Sequence, residues 1–394
     1  MNLVLVWLLF TCLTQIISCC TFSEETAKWA ELQIAKLSNG RCEDLSAGAI
    51  PPVANTKSHK PVYLFTLHND DPEVLVDWLQ YHSYLFSIGN ITFLDNKSED
   101  PRVCRLLHLY KYCGLNVIQV DNFANKSGLL TDAMSRYKDT EDAFLLPLDV
   151  DEFLVLGNPS TNGVRDIGRH LYEHISMNAS DVRNAFDNLL VDGRKYKMQS
   201  ARMLPADKAT CNKAFHAKCT HTDAPFRRAI QYSYFSLNPD NRVWKAIAKT
   251  FYHTDGFIMT DAGNHYGLVQ HDHGHMPGFL GKDNVSLHLD DYFQWSHLAL
   301  VHLQRGSFDS LIHQYFRVSR EEGFDVHSNA TCIGRNSGYC RTAKHILEIG
   351  HKRYKSDQWK KCIERSSLSK HEVLSASVND WFLKYARPLN YFVG

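Results

Sequence analysis

Three acidic side chains fall within four positions at Asp149-Val150-Asp151-Glu152. They close an apolar run, Ala143-Phe144-Leu145-Leu146-Pro147-Leu148, that reads as a buried strand. Like charges crowded at a strand end repel one another, and burial sharpens the repulsion, so the cluster calls for a positive partner. A divalent cation is the simplest. Two carboxylates one residue apart suit a hard, oxygen-loving ion such as Mg²⁺ or Mn²⁺ that also holds phosphate oxygens. The plain alternative is a solvated acidic loop, because a lone Asp-x-Asp is short and common. A second constellation is His271-Asp272-His273-Gly274-His275. Alternating histidines on an extended segment share a side and could hold Zn²⁺. That would suit a secreted metal-dependent hydrolase; a polar loop facing an acceptor is the plainer reading.

The elements that must position the acidic cluster alternate in type. Pro61 to Leu67 reads as a strand, and Asp71-Pro72-Glu73 as a helix start with Asp as N-cap and Pro at the first helical position. Val74, Leu75, Trp78, Leu79, His82 and Leu85 form that helix's apolar stripe. A strand over 91–94 follows, then a second Asp-Pro start at Asp100-Pro101, whose helix runs to Gly114. A strand over 116–120, a helix over 127–138 and the strand over 143–148 complete the series. This β-α-β-α-β-α-β order predicts an α/β fold with a mostly parallel, Rossmann-like sheet flanked by helices. In such sheets ligands sit beyond the carboxyl ends of the strands. Three polar clusters fall at such ends: His68-Asn69-Asp70, Asp95-Asn96-Lys97-Ser98 and the acidic cluster itself. Residues 21–60 read as a stem, with a helical piece from Glu24 to Leu37 and a breaker-rich linker at Ser46-Ala47-Gly48-Ala49-Ile50-Pro51-Pro52. A folded domain is expected over 61–350, in two parts at 61–156 and 157–350. A C-terminal helical extension is expected over 351–394.

The 394 residues carry 43 Lys+Arg against 43 Asp+Glu, which removes the electrostatic case for nucleic acid or for an anionic membrane surface. Residues 1–20 read as a secretory signal peptide cleaved near Cys19 or Cys20, with a signal anchor as the alternative. That places the chain in the secretory pathway, in the Golgi lumen or outside the cell. Six sequons, at Asn90, Asn96, Asn125, Asn178, Asn284 and Asn329, agree with it. Past the leader lie Cys42, Cys104, Cys113, Cys211, Cys219, Cys332, Cys340 and Cys362, an even count that suggests disulfides. Cys211/Cys219 and Cys332/Cys340 could each close a short loop. Cys104 and Cys113 should not pair with each other, being about 13.5 Å apart along one helix.

Four ordered motifs carry a family resemblance: Leu67-His68-Asn69-Asp70, Asp77-Trp78-x-x-Tyr81-His82, Phe93-Leu94-Asp95-Asn96-Lys97-Ser98-Glu99-Asp100, and Leu148-Asp149-Val150-Asp151-Glu152-Phe153-Leu154. Together they resemble the GT-A-fold glycosyltransferases related to families 2 and 92 over about residues 61 to 156. A weaker echo lies at Leu300-Val301-His302-Leu303-x-x-Gly306-Ser307. Asp70 and Asp77 stand where the family has Glu, and Leu303 where it has an aromatic residue. The resemblance implies transfer of a sugar from a nucleotide-sugar donor, expected to be a UDP-sugar, to a glycan or glycoprotein, with inversion. Mn²⁺ or Mg²⁺ would be held directly by Asp151, with Asp149 contacting it through water or holding the ribose. His265 is the first candidate for a further ligand and His302 the second. Asn69, Asp95 and Asn96 would contact the donor, which would keep Asn96 unglycosylated. Glu152, Asp255, Asp261, Asp290 and Asp291 qualify by type as the general base, and Glu152 could instead cap a turn. A non-catalytic carbohydrate-binding relative is a further alternative, against which the intact Asp-Val-Asp argues.

Overall fold

Apolar side chains that alternate between two faces build the core of the sheet. The computed structural model describes residues 22–37, 41–45, 59–68, 72–121, 125–157, 175–189, 195–205, 233–237, 249–260, 267–269, 294–302, 312, 315–319, 323–326 and 337–365. Helix α1 (Glu24–Ala35) precedes strand β1 (Val62–His68), helix α2 (Pro72–Phe86), strand β2 (Ile91–Asp95), helix α3 (Pro101–Tyr112), strand β3 (Asn116–Gln119), helix α4 (Lys126–Ser135) and strand β4 (Phe144–Pro147). β1 pairs in parallel with β2 on one side and β4 on the other, and β2 pairs in parallel with β3. Leu64, Phe93 and Leu146 face the layer of α2 and α3. Phe65, Leu67, Leu94 and Leu145 face α4 through Leu130, Ala133 and Met134. The sheet is therefore covered on both faces, as an α/β fold of Rossmann-like type requires.

The rest of the sheet is mixed. Strands β5 (Glu152–Gly157), β6 (Ile175–Ser176), helix α5 (Ala179–Asp187), and strands β7 (Lys195–Pro205), β8 (Ser233–Leu237) and β9 (Lys249–His253) follow in sequence. Then come a hairpin of β10 (Phe257–Thr260) and β11 (Gly267–Val269), strand β12 (Gln294–His302), and helices α6 (Ser337–Ile349) and α7 (His351–Arg365). The strand order is β3-β2-β1-β4-β9-β7-β12-β5-β6, with β8 added on β7. β9 lies antiparallel against β4, and β12 antiparallel against β5, while β7 and β12 run parallel. The expected halves at 61–156 and 157–350 thus share one continuous sheet.

The expected stem behaves differently over its described part. Ser23 and Thr26 form a reciprocal capping box that starts α1. Ala30 and Ile34 are buried, and the helix packs on α3. Phe22 sits edge-on to His108 at 4.9 Å, and the Lys111 ammonium lies 3.6 Å from the centre of the Phe22 ring. Tyr110 Oη donates to Leu45 O at 2.9 Å. A disulfide joins Cys42 to Cys113, closing a separation of 71 residues. A loop of that length stabilises by about 4 kcal/mol in the chain-entropy account. Residues 22–37 and 41–45 are consequently docked on the sheet domain. Cys113 pairs with Cys42 and not with Cys104, as the helical spacing requires. Cys211, Cys219 and Cys332 lie outside the described residues, as does the leader. No helix among the described residues is long and apolar enough to cross a membrane.

Candidate active site

The chain reverses between β4 and β5 over Asp149, Val150 and Asp151. Glu152 N donates to Asp149 O at 3.0 Å, which closes the turn. The Glu152 side chain folds back, and its Oε2 accepts from Asp149 N at 3.0 Å. Val150 is buried and anchors the turn in the core. This turn lies beyond the carboxyl end of β4, next to β1, where the strand order changes direction. That is where doubly wound sheets open a ligand crevice.

Three cationic side chains from distant parts of the chain meet the three carboxylates. Lys126 Nζ, from the first residue of α4, donates to Asp149 Oδ1 at 2.5 Å. Lys249 Nζ, from the first residue of β9, donates to Asp149 Oδ2 at 3.1 Å and lies 3.0 Å from Glu152 Oε1. His302 ends β12 in register with Glu152, and its Nε2 is 3.2 Å from Asp151 Oδ2. Burial works against the Lys249 ammonium, but the Asp149 and Glu152 carboxylates outweigh it and hold the group above the usual lysine range. Burial likewise works against a charged His302, and Asp151 outweighs it, so the imidazole is raised from its ordinary value. Burial pushes the Glu152 carboxyl up, and Lys249 opposes that rise.

α2 supports this turn from behind. Trp78 Nε1 donates to Glu152 O at 3.1 Å, and Tyr81 Oη donates to Leu154 O. His82 Nδ1 faces Trp78 O at 3.0 Å, and Leu154 N points at His82 Nε2 at 3.5 Å. The Trp-x-x-Tyr-His pattern therefore satisfies the backbone of β5 where no neighbouring strand does so. Burial lowers the His82 imidazole to about 3, so it is neutral in the folded protein.

The other expected residues divide into three groups. Asp95 and Asn96 lie at the same end of the sheet, both buried. Asp95 Oδ2 accepts from Gln119 Nε2 at 2.8 Å and its Oδ1 from Ser98 N at 3.2 Å, so the carboxylate shapes the loop after β2. Asn96 N donates to His68 O at 2.9 Å, and the burial of its side chain disfavours a glycan there. Asp255 is a correction. It follows β9 at the opposite end of the sheet from Lys249, because β9 runs antiparallel to β4 and pairs His253 with Phe144. It cannot act as the base for a substrate held at Asp149. Glu152 is 0% exposed, and its side chain braces the turn, which is the capping role the sequence also allowed. Asn69, His265, Asp261, Asp290, Asp291 and the run His271, His273, His275 lie outside the described residues.

Sequence reasoning missed Lys126 and Lys249. The signal for Lys249 was a lysine opening an otherwise apolar strand run, Thr250-Phe251-Tyr252, in a chain already known to need cations at Asp149. For metal, the carboxylates of Asp149 and Asp151 fit a hard divalent cation in kind. No group of three His, Cys, Asp or Glu side chains is arranged for one among the described residues. A cation reaching Asp149 would have to share or displace an ammonium. Compared with known proteins, the chain matches no protein-family model and no curated protein. The resemblance to glycosyltransferases therefore rests on its sequence motifs.

Proposed function

We propose that the chain is a GT-A-type glycosyltransferase that transfers a sugar from a nucleotide-sugar donor, a UDP-sugar, to a glycan or glycoprotein in the secretory pathway. The observation that carries this reading is the convergence of Lys126, Lys249 and His302 on the Asp149-Val150-Asp151-Glu152 turn at the strand-order switch. A diphosphate leaving group gains negative charge as the glycosidic bond to it breaks, and fixed positive charge at that position lowers the barrier. Lys126 and His302 stand at the more open side of the turn, where they could meet such a group. Lys249 and Glu152 hold the turn itself. Mn²⁺ or Mg²⁺, bound through Asp151 and Asp149, would supply further charge stabilisation of the leaving diphosphate. With Asp255 at the far end of the sheet, Glu152, Asp291, Asp261 and Asp290 stay as candidates for activating the acceptor hydroxyl. The Cys42–Cys113 disulfide supports an oxidising compartment.

The test is a donor screen on the chain from residue 21 onward, scored as nucleotide release with and without Mn²⁺. A UDP-sugar should give metal-stimulated release, and Asp151→Ala should reduce it by about a hundredfold. Full activity with unchanged metal dependence in that variant would overturn the assignment.

A further inference from the structure

The two lysines on Asp149 are held in different ways. Lys249 projects from β9 inside the sheet, 6% exposed, and touches both Asp149 and Glu152. It cannot leave without stranding a fully buried carboxylate. Lys126 begins α4, is 12% exposed, and among its recorded contacts reaches a single oxygen of Asp149. Its backbone is fixed, because the next residue, Ser127, donates its hydroxyl to Thr260 O at 2.6 Å. Its four-carbon stem can still swing about that fixed point. Asp149 is the most exposed of the three carboxylates, at 22% against 7% for Asp151 and 0% for Glu152. The cluster thus has a permanent cation on its inner side and an exchangeable one on its outer side.

We propose that Lys126 is an exchangeable partner of Asp149: it closes the carboxylate when no donor is bound and passes to the donor's diphosphate when a divalent cation takes its place. This rests on the glycosyltransferase reading and names how that site is regulated. The placement of the two lysines supports it. Lys126 Nζ sits on one oxygen of Asp149 and Lys249 Nζ on the other, so a cation that takes one oxygen displaces only Lys126. A divalent cation and a doubly charged diphosphate cancel each other, so their joint entry leaves the charge of the site unchanged, whereas entry of either one alone changes it. The exchange makes binding of cation and diphosphate mutually dependent. Lys249 stays on Asp149 and Glu152 throughout and keeps the turn in shape.

The experiment measures binding, not turnover. Mn²⁺ affinity is read by electron paramagnetic resonance without nucleotide, and UDP, UMP, uridine and pyrophosphate affinities by calorimetry with Mn²⁺ present. Lys126→Gln should raise the affinity for Mn²⁺ alone by about fivefold, since a competitor for Asp149 is gone. It should lower UDP and pyrophosphate affinity by about tenfold and leave uridine unchanged. Lys126→Arg should keep the wild-type pattern. A merely structural lysine would weaken all ligands together or none. Mn²⁺ affinity that stays level or falls in Lys126→Gln overturns the exchange, as does unchanged UDP affinity. Should Lys126→Gln not fold, Asp149→Asn reports the same exchange from the other side. It should tighten metal-free pyrophosphate binding by releasing Lys126, and no tightening overturns the proposal. Wild-type protein that releases nucleotide alongside an unresponsive Lys126→Gln removes the exchange alone. Wild-type protein that binds neither UDP nor pyrophosphate with Mn²⁺ removes the glycosyltransferase reading and the exchange with it.

Discussion

Strands β4 and β9 lie side by side and carry an acid–base cluster at each end. At the lower end, Asp142 takes Lys60 Nζ at 2.9 Å and His253 Nε2 at 3.2 Å on one oxygen. At the upper end, Asp149 and Glu152 share Lys249. β9 supplies a basic residue to both, Lys249 from its first position and His253 from its last. The residue types are nearly the same, but the surroundings differ. Asp142 is 49% exposed, so water already serves its charge. Glu152 and Lys249 are sealed in, where ions are costly and apolar replacements of similar volume often hold a fold equally well. A turn between β4 and β5 does not need three carboxylates in order to be stable. Buried ions beside the strand-order switch fit the proposed site at the upper end, and the water-served pair at the lower end fits a fastening.

The largest test of this contrast removes one lysine from each end. Lys249→Met leaves the fully buried Glu152 beside Asp149 without their shared cation. It should cost about 3–5 kcal/mol in urea unfolding. Lys60→Met should cost less than about 1 kcal/mol, because its pair is water-screened. Adding Glu152→Gln to Lys249→Met should recover part of the loss, since a neutral amide no longer needs the ammonium. Equal losses at the two ends would erase the distinction.

That contrast could not have been drawn from the sequence. β1 to β4 were legible because each is a short local run, and an Asp-Pro helix start follows both β1 and β2. The observed strands Val62–His68, Ile91–Asp95, Asn116–Gln119 and Phe144–Pro147 match the expected runs to within a residue or two. The acidic turn was legible as well, since three carboxylates after a buried strand are a local pattern. Its partners were not. Lys249 lies 100 positions from Asp149, and only the insertion of β9 beside β4 joins them. His302 was picked from a family echo, and its pairing with Asp151 depends on the register of β12 on β5. Asp255 looked as suitable as any other carboxylate until the direction of β9 placed it at the wrong end. Trp78 and His82 read as part of a buried stripe, which they are, and Tyr81 is buried beside them. That their polar atoms serve the β5 backbone needed coordinates. The helix α1 was foreseen, but its docking was not, because nothing local to Glu24–Ala35 points to α3.

A medium effect sharpens the contrast through the support of the upper turn. His82 stays neutral down to about 3 in the folded protein, whereas its ordinary value is 6.5. Below that ordinary value the unfolded chain takes up a proton that the folded one refuses. Stability therefore falls as pH drops from 6.5 toward 3, by about 1.4 kcal/mol per unit from this group. Between pH 6.5 and pH 5 the loss should reach about 2 kcal/mol. His82→Phe should start less stable at pH 7, having lost the contacts to Trp78 O and Leu154 N, but should lack this component of the acid slope. Parallel pH profiles for the two proteins would show that the imidazole is not held neutral behind β5.

The smallest effect belongs to the lower end, and it separates charge from backbone there. Lys60 beside Asp142 holds that carboxyl below its ordinary value of 3.8, against a weak opposing push from burial. A depressed carboxylate stabilises the fold above its unfolded value, and that contribution fades as pH falls through the lower, folded one. Given its exposure, the contribution is below about 1 kcal/mol. Asp142 also holds φ at 47°, in the left-handed region that Asn tolerates far better than most residues. Asp142→Asn should therefore lose only the charge: a drop below about 1 kcal/mol at pH 7 that fades as pH falls below 3.8. Asp142→Ala should lose more, because it adds about 1 kcal/mol of backbone strain that no pH change relieves. If the Asn variant instead loses as much as Lys249→Met does, the lower cluster is no mere fastening, and burial is the wrong measure for telling the two ends apart.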